Sequence, residues 1–280
     1  MNNNIYDYFL SIFNYCYKLK NKKLNRKKYF SSHYELIELL QTNKYIDVIK
    51  VKCKKDKKIY VLKILSINYD INEENYEVFL QNEYNNLKNI EHNNIIKPIN
   101  YIPNFGIKLD YIKSNELYIL LKNNELNINN KINIFNKLID AIKYLHNKSI
   151  YHLDIKIENI LITNDYEPFL IDFGTSTNNK ISTILNGGTH VYLPPENKNS
   201  YYINSPKYDS WCLGLIILSF LNIDLFYLWL NNKQSYNLYH YIVKKINNGP
   251  FSHFNESFNK LFSWDEEGRY YIKDISIIQT

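Results

Sequence analysis

An aspartate, a lysine and an asparagine share one short stretch, Tyr151-His152-Leu153-Asp154-Ile155-Lys156-Ile157-Glu158-Asn159, and a second aspartate follows in Asp172-Phe173-Gly174. These residue types meet the needs of one reaction. Moving a phosphoryl group between oxygens takes a carboxylate to accept a hydroxyl proton, oxygen ligands to hold Mg2+, and a cation to offset charge on the moving group. One loop and the next hairpin supply that set. Singly, none of the pieces is specific: an Asp-Phe-Gly triplet occurs in ordinary turns, and a lone His-x-Asp carries no information.

Such side chains need a frame, and the chain outlines one. Residues 34–40 and 45–52 are rich in β-formers, with Ile46 and Val48 marking alternation. A Lys-Lys-Asp-Lys turn at 54–57 and the apolar run Ile59 to Leu65 complete an antiparallel meander. A helical stretch is expected around Glu74 to Ile90, then two short strands ending near Ile112. Beyond them Ile132, Ile134, Phe135, Leu138, Ile139, Ile142 and Leu145 make one broad apolar helix face. A small sheet first and helices afterwards predicts an α+β architecture in two lobes: a sheet lobe with one main helix, and a larger helical lobe. Trp211 to Leu230 is nearly all apolar and about the length of a membrane span, but Asn222 and Asp224 interrupt it. It reads as a helix buried in the large lobe, and no transmembrane segment is expected.

Hydrophobic residues at 45% and charged residues at 22% of 280 exclude a disordered chain. The net charge of +6 suits acidic partners such as nucleotides and gives no reason to expect nucleic acid. Asn, Lys, Ile and Tyr are abundant and glycine scarce; the four have A/T-rich codons, so genome composition is the plain explanation. Cys16, Cys53 and Cys212 fall in no paired or metal-like spacing, which predicts a reducing, cytoplasmic setting. No secretory signal is expected, since the N-terminus lacks a positive region and Asp7 interrupts its apolar stretch. Residues 1–30 read as an extension. Ile5, Tyr8, Phe9, Ile12 and Phe13 fall at helical spacing, and Lys18 to Lys28 hold seven basic residues. That arm suits docking to acidic surfaces; the plainer reading is a surface helix with a solvated basic end.

The residues from Tyr151 to Asn159 resemble the catalytic loop of the protein kinases, and Asp172-Phe173-Gly174 resembles their magnesium-binding triplet. Other landmarks follow in order. Tyr60-Val61-Leu62-Lys63 resembles the strand carrying the phosphate-pairing lysine, with Glu83 placed as its helix partner. Leu109-Asp110-Tyr111-Ile112 is similar to the gatekeeper and hinge, and Gly188 to Glu196 to the end of an activation segment. Asp209-Ser210-Trp211-Cys212-Leu213-Gly214 resembles the start of the helix that anchors the catalytic loop. The likeness covers about residues 34–277 and divides the chain into a kinase domain at 31–280, with an N-lobe to about 112 and a C-lobe from about 113.

By this resemblance Asp154 is the catalytic base and Lys156 contacts the γ-phosphate, while Asn159 and Asp172 hold Mg2+. Lys63, Glu83, Val48, Val61, Asp110, Ile112 and Leu161 form the ATP site. His152, Phe173, Glu196, Asp209 and Arg269 are structural, with Arg269 expected to pair with Glu196. Lys156 and Thr189 resemble the serine/threonine group, so the implied activity is transfer from ATP to serine or threonine of protein substrates.

Three departures stand out. The glycine-rich loop is missing: its glycine positions hold Gln41, Asn43 and Ile46, and no glycine precedes Gly106. Leu153 replaces the arginine that in the family binds a phosphate on the activation segment, which implies activity without that phosphorylation. Val61 stands where the family usually has alanine above adenine. The expected alternative to an active kinase is a pseudokinase scaffold with little or no turnover. The complete set Lys63, Glu83, Asp154, Lys156, Asn159 and Asp172 favours activity.

Overall fold

Period-two alternation organises the first part of the chain. The computed structural model describes residues 26–43, 45–66, 75–183, 192–198, 202–221, 244, 252–263 and 265–278. The described residues form two units. One takes those up to Asn89 with Ile96–Tyr111; the other takes Ile90–Ile95 and those from Ile112 onward.

In the first unit, α1 (Arg26–His33) leads into β1 (Tyr34–Thr42), β2 (Ile46–Cys53) and β3 (Ile59–Leu65). Helix α2 (Asn75–Leu87), β4 (Pro98–Ile102) and β5 (Gly106–Asp110) follow. The strands make one antiparallel sheet in the order β1-β2-β3-β5-β4. Along β2 the buried residues are Asp47, Ile49, Val51 and Cys53. Ile49, Val51 and Cys53 join Tyr34, Tyr60, Leu62, Ile102 and Phe105 in one core cluster. Residues between them face the other way: Val48 lies opposite Lys63, and Lys50 opposite Val61. The edge strand β1 carries Glu35 and Glu38 and two register irregularities, features that discourage pairing with another chain.

Tyr29 and Phe30 of α1 pack against the core cluster, and Tyr29 stacks on His33 at 4.1 Å. The boundary expected at residue 30 therefore falls inside a helix of this unit. The helical spacing expected over Ile5 to Phe13 lies outside the described residues. At Gly106, with φ +151°, a Cβ would lie 2.1 Å from the Lys63 carbonyl oxygen. Only glycine lets β5 lie this close to the strand that carries Lys63.

The second unit holds β6 (Ser114–Glu116), α3 (Leu117–Lys122), α4 (Ile128–Asn147), β7 (Ile160–Thr163) and β8 (Pro168–Leu170). After these come β9 (Ile181–Thr183), β10 (Tyr202–Asn204), α5 (Ser205–Phe220) and α6 (Asn255–Leu261). Asn127 caps α4 by accepting the Asn130 N–H at 2.9 Å, an arrangement worth about 1 kcal/mol. The buried face of α4 includes all seven residues expected from the periodicity. Helix α5 is buried on every side except at Lys207, with Trp211 stacked on Phe262 at 4.0 Å. The apolar run from Trp211 is thus core helix as far as Phe220, and residues 222–230 lie outside the described set. Among the described residues no helix is long and apolar enough to cross a membrane.

Candidate active site

In the first unit the face of the sheet turned away from the core cluster carries the expected nucleotide residues. Val48 and Val61 are half-buried there beside Lys63. Helix α2 buries Leu80, Glu83 and Leu87 along one stripe, which directs Glu83 inward. Lys63 Nζ donates to Glu83 Oε2 at 2.7 Å, and the side chains are 10% and 1% exposed. Asp110 ends β5, and its N–H donates to the Lys97 carbonyl.

The β1–β2 turn, where glycines are absent, is closed from within. Asn43 Oδ1 accepts the N–H groups of both Tyr45 and Ile46 at 2.8 Å, and Asn43 N–H donates to the Ile46 carbonyl at 3.0 Å. Thr42 Oγ1 donates to Asp47 Oδ1 across the same turn at 2.5 Å. A glycine-rich loop offers its amides to phosphates; here a side-chain carboxamide takes two of them.

In the second unit the residues expected to form the catalytic loop converge. Asp154 Oδ2 accepts from Lys156 Nζ at 2.7 Å and from Asn159 Nδ2 at 2.8 Å. Asn159 Nδ2 also donates to the Asp154 carbonyl at 2.9 Å, so the loop closes on its own carboxylate. Leu153 and Asp172 both have left-handed backbone, at φ 61° and 63°. Such a conformation costs a non-glycine residue roughly 1–2 kcal/mol. The buried Asp209 offsets this at Leu153 by accepting the His152 and Leu153 N–H groups at 2.9 and 2.8 Å. Asp172 Oδ1 accepts the Gly174 N–H at 3.3 Å. Phe173 is fully buried and meets the His152 ring edge-on at 4.6 Å. Leu161, on β7, is half-buried, and the Ile112 carbonyl accepts Ser114 Oγ at 3.0 Å.

His152 is fully buried, with Nε2 at 3.0 Å from the Ile171 carbonyl and Nδ1 accepting the Asp154 N–H. One nitrogen donates and the other accepts, which is the neutral imidazole. Burial pushes its pKa down from 6.5, against the pull of the carboxylates of Asp209, Asp154 and Asp172. The folded chain therefore binds this proton less readily than the unfolded chain. The stability that follows is complete above the ordinary value of 6.5 and declines as pH falls through it. Urea unfolding of the parent should show lower stability at about pH 5.5 than at about pH 7.5, and His152→Asn should flatten that difference. An equal slope in the variant would assign the pH dependence to other groups.

Glu196 and Arg269 meet as expected: Arg269 Nη1 and Nη2 donate to Glu196 Oε1 and Oε2 at 2.6 and 3.0 Å. Residues 188–191 of the expected activation-segment motif lie outside the described set. Several contacts had no sequence signal. His146 Nε2 lies 2.9 Å from Asp209 Oδ2, and Thr175 Oγ1 donates to the His152 carbonyl at 3.0 Å. The donor chemistry fits Mg2+: Asp172 offers a carboxylate, and Asn159, with its nitrogen held by Asp154, offers a carboxamide oxygen.

Comparison with known proteins agrees with this geometry. Residues 34–274 match the protein kinase domain family. The chain is 30% identical over 201 residues to aurora kinase C of Mus musculus, covering 70% of this chain and 72% of that protein. It is 34% identical to the serine/threonine-protein kinase KSP1 of Saccharomyces cerevisiae over 51% of this chain, and 27% identical to cds1 of Schizosaccharomyces pombe over 74%. These alignments span only 14% of KSP1 and 48% of cds1. With its landmarks in order and its family matched over nearly its whole described length, the chain belongs to the protein kinase domain family.

Proposed function

We propose that the chain is an active serine/threonine kinase, moving the γ-phosphoryl group of ATP to protein hydroxyls. The observation that carries this is the fixed Asp154 carboxylate, held at Oδ2 by Lys156 and Asn159. Its Oδ1 is left to take a proton. The serine or threonine oxygen attacks the γ-phosphorus, the bond to the bridging oxygen of ADP breaks, and the hydroxyl proton passes to Asp154. Lys156 offsets charge on the moving phosphoryl group. Lys63, braced by Glu83, binds the phosphates. On the family's pattern, Val48, Val61 and Leu161 are the side chains to contact adenine, and Asp110 and Ile112 the residues whose backbone would meet its edge. Asn159 and Asp172 are the residues to hold Mg2+, which when bound neutralises phosphate charge. Buried free thiols at Cys53 and Cys212 support a reducing, cytoplasmic setting.

The Asn43 cap favours a second reading, a scaffold with little turnover, because it withholds the Tyr45 and Ile46 amides from phosphates. Asn43→Gly tests whether the cap limits nucleotide affinity. If the chain is active with a poor lid, the variant should tighten Mg·ATP binding several-fold, within the roughly 1 kcal/mol that a flexible glycine takes back, and leave adenosine binding unchanged. No gain would remove the turn from the account of ATP affinity. The activity itself is tested by labelled ATP with a mixed peptide library. Label on serine or threonine is expected; label confined to tyrosine, or none, would overturn the proposal.

A further inference from the structure

The Leu153 side chain is buried and carries no donor, so it cannot hold the segment after Asp172 through a phosphate. A different set of contacts does hold it. Strand β9 pairs antiparallel with β10, Thr183 opposite Tyr202, Ser182 opposite Ile203 and Ile181 opposite Asn204. Strand β10 runs directly into α5, whose first residue, Ser205, is fully buried. Ser205 N–H donates to the Lys180 carbonyl at 2.9 Å, and Ser205 Oγ donates to the Asn179 carbonyl at 2.8 Å. Ser182 Oγ lies 2.7 Å from Ser205 Oγ. A hydroxyl has one proton, and that of Ser205 goes to Asn179, so Ser182 is the donor to Ser205. The hydroxyls therefore form a directed chain, Ser182 to Ser205 to Asn179, and removing Ser205 Oγ breaks both links.

One helical turn further along α5, Asp209 holds the His152 and Leu153 amides of the catalytic loop. The same helix end thus fixes the segment through residue 205 and the loop through residue 209. We propose that Ser205 is a positioning residue whose hydroxyl clamps the activation segment in register with the catalytic loop, in place of a phosphate held by arginine. This inference rests on the kinase reading above. It makes the segment competent without phosphorylation and makes turnover, rather than nucleotide binding, depend on the clamp. Thr183, on the same strand, takes no part in the hydroxyl chain.

The test compares the parent with Ser205→Ala, Ser205→Thr and Thr183→Ala by peptide kinetics, Mg·ATP affinity and amide exchange over residues 179–183. Ser205→Ala should lose about tenfold in kcat with Mg·ATP affinity unchanged, and exchange over the segment should quicken. Ser205→Thr, which keeps the hydroxyl, should recover turnover, Thr183→Ala should match the parent, and phosphatase treatment should change none of them. Parent-like kcat in Ser205→Ala, or a tenfold loss on phosphatase treatment, overturns the proposal. Should Ser205→Ala fail to fold, Ser182→Ala opens the chain from its other end, and parent-like turnover there counts equally against it. If the parent transfers no phosphate at all, the kinase reading fails, and exchange in Ser205→Ala still decides whether the clamp exists.

Discussion

Asp154→Asn should lower kcat by about 10²–10⁴-fold, the range a positioned base contributes, with Mg·ATP affinity unchanged. The replacement keeps size and shape but removes the charge and the capacity to take a proton. Lys156 and Asn159 both donate to Oδ2, so an amide nitrogen there would face two donors, and the carboxamide must present its oxygen to them. That leaves an NH2 group, a donor, at the position where the acceptor hydroxyl needs a base. Asp172→Asn should behave differently: on the proposed reading its carboxylate holds Mg2+ and is not the base, so the variant should weaken Mg·ATP binding. Peptide kinetics and calorimetry on the two variants read the difference. Lost nucleotide binding in Asp154→Asn, with turnover per bound complex intact, would exchange the two roles.

Arg269→Ala should lower the melting temperature by roughly 6–12 °C, at about 2–4 °C per kcal/mol for a chain of this size. Arg269 is 2% exposed and carries more than one bond: besides the fork to Glu196, it donates to the Ser263 carbonyl from Nε and Nη2. Its guanidinium also lies 5.0 Å from the Trp211 ring centroid. Breaking one partner of a fully buried pair costs about 3–5 kcal/mol. The Glu196 side chain is 23% exposed, and water there brings the expected loss towards the lower end. Arg269→Lys should rescue little, since one ammonium cannot make the two-pronged contact. A variant that melts with the parent would show that the pair contributes nothing to holding the Glu196 segment.

The stretch 151–159 was legible through its resemblance to the catalytic loop of the kinase family, with Asp154, Lys156 and Asn159 of the types that phosphoryl transfer needs. The sheet was legible because strand burial has period two, and the apolar runs carried that period from Ile46 to Leu65. Glu83 was named only through the family resemblance; the structure supplies the physical reason for its place, a buried helix stripe shared with Leu80 and Leu87. What escaped were contacts between residues of no special type far apart in sequence. Ser182 and Ser205 are ordinary serines until a strand pairing brings their hydroxyls to 2.7 Å. Asn43 read only as an absent glycine, since the capture of two amides by its side chain depends on turn geometry. The aromatic side of α1 was hidden for a similar reason: Tyr29 and Phe30 stand among lysines and show their role only against Phe105 and Tyr34.

The measurement that bears most directly on the central claim is a paired one on the unmodified chain: Mg·ATP affinity by calorimetry and phosphopeptide formation from the same preparation. The account predicts both, with ADP and phosphoserine or phosphothreonine appearing in equal amounts and both lost in Asp154→Asn. Mg·ATP bound at saturation with no phosphopeptide formed would contradict it and leave a nucleotide-binding scaffold in its place.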